Sequence, residues 1–503
     1  MESFMKKNLL RFAAALLACI LVCAPVSALA ETSYTYVYDF WGEYQECPDA
    51  YSVSKVLTSS DLGLEVPIKQ PEGLYVKGNS LYLLDTGNNR IIELDRVTEE
   101  NLEVVRIIDS FNGGPGPNTF AGPTDMAISD EGNIFIADKN NSRILKLDAD
   151  LNYIMEFTKP NDATLDPELT FLPSKLVIDT AERVYCIATG INKGLVKYEP
   201  DGVFSGFVGA TPVVYDFWDY IWKFFASQEQ RAQMKSFVPT EYDNLFIDRE
   251  GFIYTVQDGQ EEADLRSGSA NAVRKLNLLG SDILTRNGYE EVPIIGDIYF
   301  GSGGGYSGPS LLTDVTVFDN DIYCVLDKNR GRVFAYDEQG RLVYAFGGNG
   351  NMDGYFRRPT AIEHIGYDLF VLDYLDCAIT IFTCTDFGKN IYQAVDAFDL
   401  GLYDEAGDCW QRVMDIDGNY YLAYIGIGRS LLRQKKYKEA MEYFKLKYDV
   451  ENYSKAFKQY RKEWVEDHII WVILLILALF LIPGVIKFIK KAKYEIKTAE
   501  YFK

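Results

Sequence analysis

A cassette that recurs along the chain limits its fold more than any other feature. Residues 123–148 read PTDMAISDEGNIFIADKNNSRILKLD, three short strands in succession. Met126–Ile128 is apolar, and Asp130-Glu131-Gly132-Asn133 makes a tight turn. Ile134–Ala137 is apolar again, and Asp138–Ser142 is a polar turn whose asparagines tolerate left-handed backbone. Arg143–Leu147 then alternates polar and apolar, as a half-buried strand does. An earlier copy lies at Pro71–Asp95, with Asp85 and Arg90 each 53 residues before Asp138 and Arg143. Further copies follow at Pro173–Glu199, Asp243–Asn277, Pro309–Asp337 and Pro359–Thr383. Repeats of this length, made of strands and turns, predict propeller blades rather than a helical solenoid.

The runs Asp85-Thr-Gly-Asn-Asn-Arg90 and Asp138-Lys-Asn-Asn-Ser-Arg143, each in a Pro-opened repeat, resemble the NHL-repeat family. The resemblance spans about Pro71–Thr383. The third and fourth copies depart from it, with Ala188 and Gln257 where the strand-ending Asp belongs. The expected fold is mainly β: a six-bladed NHL-type β-propeller over 31–386, a small α-helical domain and one transmembrane helix. Tyr34–Gly42 resembles the blade-ending strand Arg341–Gly348, so it is expected to complete the last blade and close the ring. Closure removes sheet edges that would otherwise aggregate.

The formal net charge is −23, which argues against phosphate-directed nucleic-acid binding. Residues 1–30 have the form of a secretory signal peptide: Lys6, Lys7 and Arg11, then an apolar run, then Ala28-Leu29-Ala30. Cleavage there leaves Cys47, Cys186, Cys324, Cys377, Cys384 and Cys409. Cys186 and Cys324 fall in non-neighbouring blades. Cys377 and Cys384 flank one strand, about 20 Å apart if extended, beyond bridging range. Free, mostly buried thiols are expected, and the lack of a C-x-x-C pair argues against a zinc site.

Glycine-rich loops at Phe111, Phe300 and Phe346 each lead into a strand, not a helix, so they read as inter-blade crossings rather than phosphate cradles. An insert near 212–237 carries Phe217, Trp218 and Trp222 at helical spacing. Such a stripe either packs on its own domain or docks a membrane neighbour. Aligning the blades on the turn after strand one places Gly73, Asp125, Lys175, Asn244, Asp314 and Ala361 at one channel mouth, beside Glu72. Glu72, Asp125, Lys175, Asn244 and Asp314 are therefore the ligand-binding candidates. Asp125, Asn244 and Asp314 offer hard oxygen donors suited to a divalent cation such as Ca²⁺. They resemble the carboxylate-and-Asn constellation of propeller lactonases. The plainer reading is that they solvate the mouth or tie neighbouring strands. His364 is the lone propeller histidine, so no Ser-His-Asp arrangement is available, and related lyases depend on histidines missing here.

From residue 387 to 466 the period changes. Tyr403 and Tyr437, Ala406 and Ala440, and Trp410 and Phe444 are each 34 residues apart, which resembles tetratricopeptide repeats. Such helices form a partner groove or a stiff connecting bundle. Residues 467–489 are long and apolar enough to span a bilayer. Lys487, Lys490, Lys491 and Lys493 come after its uncharged run Ile469–Ile486, so the tail 490–503 is expected in the cytoplasm, with the propeller outside the plasma membrane. The sequence thus favours a non-enzymatic, membrane-anchored scaffold. It would recognise a protein partner in or near the membrane, or a small molecule or carbohydrate, without nucleic acid and without a required cofactor. The alternative is a metal-dependent lactonase or hydrolase acting on sugars.

Overall fold

The computed structural model describes residues 35–39, 41–209, 241–268, 271–286, 293–303 and 305–501. The signal-like segment 1–30 and the aromatic insert, with Phe217, Trp218 and Trp222, lie outside the described residues. The described strands form six sheets arranged as a β-propeller. Five have at least four strands, whereas six complete blades were expected. The remaining sheet, Asn244–Ile247, Ile253–Val256 and Val273–Leu276, has three. Among the described residues no fourth strand follows Leu276, and an isolated bridge from Leu276 to Asp282 continues the pairing. The first strands of the sheets stand side by side in a closed ring, with Pro359–Ile365 beside Gly73–Lys77.

The motif at the end of strand two explains why each sheet turns where it does. Asp85 Oδ2 accepts from Arg90 Nε at 2.6 Å and Asn88 Nδ2 at 2.8 Å, and Oδ1 accepts from Lys69 N in the preceding loop. Asp138 repeats the arrangement with Arg143, Asn141 and Ala121 N. Asn89 and Ser142 close these turns at φ 55° and 58°. Each aspartate is fully buried, so its hydrogen bonds offset the cost of taking a carboxylate out of water. Where Ala188 replaces it, the third sheet keeps only a backbone tie, Thr189 N to Leu172 O.

Ring closure differs from the expectation. The fourth strand of the last sheet is Tyr51–Leu57, paired with Ala378–Cys384 from Tyr51↔Cys384 to Leu57↔Ile379. Tyr36–Tyr38 instead pairs with Leu342–Asn349, the strand it resembles, through Tyr36↔Ala345. It then hairpins to Tyr44–Glu46.

A short helix, α1 (Glu262–Ser267), follows strand two of the three-stranded sheet. The C-terminal region comprises α2 (Asp386–Asp399), α3 (Tyr403–Ile416), α4 (Tyr421–Arg433), α5 (Tyr437–Leu446) and α6 (Val450–Tyr501), each packed on the next. Thr385 caps α2 by accepting from Gly388 N. Ala406 and Ala440, picked out by the 34-residue period, are fully buried. One apolar core joins the propeller to these helices, including Tyr51, Tyr344, Phe346, Phe387, Tyr392, Trp410 and Leu422. At its centre Tyr392 of α2 meets the hydroxyls of Tyr51 (2.9 Å) and Tyr344. The sequence divides helical domain, span and tail at 467 and 490. In the structure one helix runs from Val450 to Tyr501 through Pro483, across both of those boundaries. Its apolar window has mean hydropathy 3.1, is not buried against protein, and is long enough to cross a membrane. All six described cysteines are free.

Candidate functional site

The inner-strand register confirms which residues are equivalent. Gly73, Asp125, Lys175, Asp314 and Ala361 each pair with the residue just before the strand-two terminus, Leu84, Ala137, Ile187, Leu326 and Leu372, and Asn244 pairs with Val256, the last residue of its shorter strand two. In four of the six a bulge immediately precedes this position and turns the side chain inward. The chain thus brings Asp125, Lys175, Asn244 and Asp314 to one level of the bore.

Their bonds run between sheets. Asp125 Oδ2 accepts from Leu176 N of the next sheet at 2.8 Å. Asp314 Oδ2 accepts from Ile362 N at 2.7 Å, and Oδ1 from Asn244 Nδ2 at 2.5 Å and from Val315 N at 2.8 Å. Lys175 Nζ reaches across to the Glu72 carbonyl at 3.3 Å. The Glu72 carboxylate turns away towards Lys139, 4.0 Å distant. Glu72 therefore contributes its backbone, not its side chain.

Burial raises Asp125 to about 6 and Asp314 to about 7, although Lys175 pulls both down. Glu363 lies two residues beyond Ala361 on the same strand face and was not among the sequence candidates. Burial, then the charges of Asp314 and Asp125, hold its pKa well above the carboxylate range. The period of two along the strand is the signal that could have found it. His364 Nδ1 lies 2.7 Å from Thr316 Oγ1, and its ring sits 4.4 Å from Phe318. Burial lowers it to about 4, so it is a neutral, wedged imidazole at pH 7.

These donors fit a metal poorly. Three of the four carboxylate oxygens of Asp125 and Asp314 already accept hydrogen bonds. Among the described residues no three His, Cys, Asp or Glu side chains form a group able to hold a metal ion.

The end of the channel formed by the strand one–two turns is different. There an open cleft of about 470 Å³ runs beneath four neighbouring sheets. Tyr75, Ile128, Val177 and Ile247 form its apolar wall, and carboxylates crowd its rim. Several of those acids are paired: Asp130 with Lys77 (2.8 Å), Asp179 with Arg183 (2.6 Å) and Glu182 with Lys146 (2.5 Å). Glu131 and Glu250 are exposed and have no ion-pair partner among the described residues.

Residues 120–147 match the NHL repeat. A probable peptidyl-alpha-hydroxyglycine alpha-amidating lyase of Caenorhabditis elegans is 29% identical over 136 residues. That match takes in 25% of this chain and only 38% of the relative's length. Among solved structures, a streptogramin B lyase is 12% identical with a TM-score of 0.39, covering 67% of this chain and 100% of its own. A virginiamycin B lyase from Staphylococcus aureus is 11% identical with a TM-score of 0.38, at 67% and 100% coverage.

Proposed function

We propose that the chain is a membrane-anchored binding platform of the cell envelope. Its propeller would take a basic segment of a protein partner into the acidic cleft. The cleft itself carries this reading: it has a volume typical of ligand sites, an apolar wall and unpaired carboxylates. The polar bore, by contrast, is spent on joining sheets. We read the three-stranded sheet as the sixth blade, shortened at its outer edge, and α2–α5 as tetratricopeptide-like hairpins stiffening the base. With α6 as the single span and its lysines inside, propeller and hairpins stand outside the plasma membrane. The core shared by propeller and helices supports their acting as one rigid reader held near the bilayer.

The lactonase alternative needs a cation on Asp125, Asn244 and Asp314, whose bonds to neighbouring strands weigh against it. The lyase relative raises an enzymatic reading too, but the bore offers one neutral imidazole, tied to Thr316.

The test is capture of partners by the full-length protein from its native membrane in mild detergent, read by mass spectrometry. A stoichiometric partner that is lost when Glu131→Lys and Glu250→Lys are combined supports the proposal. An unchanged partner set in that variant overturns the assignment to the cleft.

A further inference from the structure

A second space opens at the same end of the channel, beside the acidic cleft. It measures about 140 Å³, room for roughly ten water-sized groups. The turn residues Asp248, Arg249 and Glu250 line both spaces. The wall of the second is aromatic and aliphatic: Phe246, Ile247, Val317, Phe318 and His364. The His364 ring lies 4.4 Å from Phe318 and 6.4 Å from Phe246. Burial keeps this imidazole neutral at pH 7, so the wall itself carries no charge. Phe246 is only half-buried, although it sits on an inner strand of the ring.

The rim is acidic. Asp248 and Asp321 lie 3.3 and 3.2 Å from Lys275 Nζ, so one cation serves two carboxylates. Asp319 and Glu250 are exposed and have no ion-pair partner among the described residues. Arg249, also exposed, is the cation on the rim, and it forms no ion pair among the described residues either. With Lys275 counted, four carboxylates meet two cations. An uncharged aromatic wall under a rim with surplus negative charge suits an organic cation, which the ring faces attract and the acids draw in.

We infer that this pocket binds a small quaternary-ammonium cation of the choline class. Its methyl groups would rest on Phe246, Phe318 and His364, and its charge would meet the rings and, at longer range, Asp319 and Glu250. A primary ammonium would have to surrender water from N–H groups for which the aromatic wall supplies no carboxylate. A quaternary one has no N–H to satisfy. A phosphodiester would bring an anion to a rim already in surplus, which favours a free cation over a lipid headgroup. The inference does not rest on the cleft's taking a basic peptide, because Phe246, Phe318, Asp319 and His364 line this space and not the cleft.

The experiment is isothermal titration calorimetry on the full-length protein in a maltoside detergent. The titrants are choline, tetramethylammonium, methylamine, glycerophosphocholine and neohexyl alcohol, the uncharged carbon isostere of choline. Saturable binding of choline and tetramethylammonium is expected, with the other three weaker by about tenfold or more. Phe246→Leu keeps apolar bulk without the ring and should lose about tenfold for choline. Asp319→Asn should lose about threefold, and Arg249→Gln, which removes a like charge, should gain about as much. Circular dichroism and Tm report whether Phe246→Leu folds, and the two exposed positions keep the test decisive if it does not. Glu131→Lys alters the cleft alone and should bind choline normally, so failure of the peptide reading leaves this readout intact. The inference is overturned by no saturable choline binding, by neohexyl alcohol or glycerophosphocholine binding as tightly as choline, or by Asp319→Asn and Arg249→Gln both leaving the affinity unchanged.

Discussion

Asp314 shows how one side chain can look functional and yet be bound into the framework. Its two oxygens accept from two backbone amides and from Asn244, and it is only 6% exposed. Asp314→Ala leaves the Ile362 amide and the Asn244 carboxamide buried without that acceptor. Each such group costs about 1–3 kcal/mol, so urea denaturation should show a loss of about 2–4 kcal/mol. Asp125 makes one cross-sheet bond, to Leu176 N, and Asp125→Ala should cost less. The reverse order would mean that these carboxylates do not serve as ties between sheets. The positions themselves were legible, because repeat alignment and a strand's period of two fix which side chains face the bore. Their bonds were not, since the groups that donate to Asp125 and Asp314 are backbone amides of the next sheet. Those amides lie 51 and 48 residues away in sequence. Glu363 went unnoticed because Ala361 occupied its blade's aligned slot, one inward step earlier.

At the scale of an element, the helical segment was legible in its period and its small residues, whereas the strand that closes the ring was not. Tyr36–Tyr38 has the aromatic alternation of a core strand and pairs with the strand it imitates. Tyr51–Leu57 is an outer strand, YSVSKVL, in which only Tyr51 and Leu57 are fully buried, so it carries little hydrophobic signal. Outer strands answer to one neighbour only, and their sequences are correspondingly permissive. Likewise the turn-side cleft is made of residues that look like ordinary turn chemistry one repeat at a time. Among the helices, close approach leaves a sharper mark. Gly426 of α4 faces Trp410 of α3, and Gly428 faces Phe444 of α5, where added Cβ atoms would fall 2.3 and 2.6 Å from the rings. Alanine in a helix interior gains about 1 kcal/mol over glycine. Overpacking against a rigid ring costs about 1–3 kcal/mol, so the clash should win. Gly426→Ala is expected to lower Tm by several degrees, about 2–4 °C per kcal/mol in a protein of this size or less. A rise in Tm would show that the helices can separate without penalty.

For the whole molecule, α6 and the net charge set the terms. The apolar window of α6 is unburied against protein, and leaving it in water would expose hydrophobic surface well beyond what a soluble chain tolerates. Full-length protein should therefore stay with membranes after alkaline carbonate washing, and a chain ending at residue 464 should not. Recovery of the full-length protein in the wash would remove the anchor from the reading. Stability against pH follows from the buried acids, opposed below about pH 6.5 by His364, whose imidazole burial lowers to about 4. Asp125 at about 6 and Asp314 at about 7 lie above the ordinary 3.8, and burial raises both. An acid whose folded pKa is raised binds protons more tightly when folded. Its stabilising share is whole below about pH 4 and is lost as pH climbs through 6 and 7. The lowered acids at Asp61, Asp130 and Asp148 change charge below about pH 4 and so act outside this window. The formal charge of −23 pushes the same way, since repulsion between carboxylates grows as they ionise. The urea midpoint of the detergent-solubilised protein should thus fall between pH 5 and pH 7.5. Salt separates the two causes: it screens exposed charges over about 8 Å at physiological strength but acts weakly on buried ones. The part of the fall that persists at high salt should shrink in Asp314→Asn, which has no charge to acquire. A fall abolished entirely by salt would assign the effect to the surface and leave the bore's acids without a part in it.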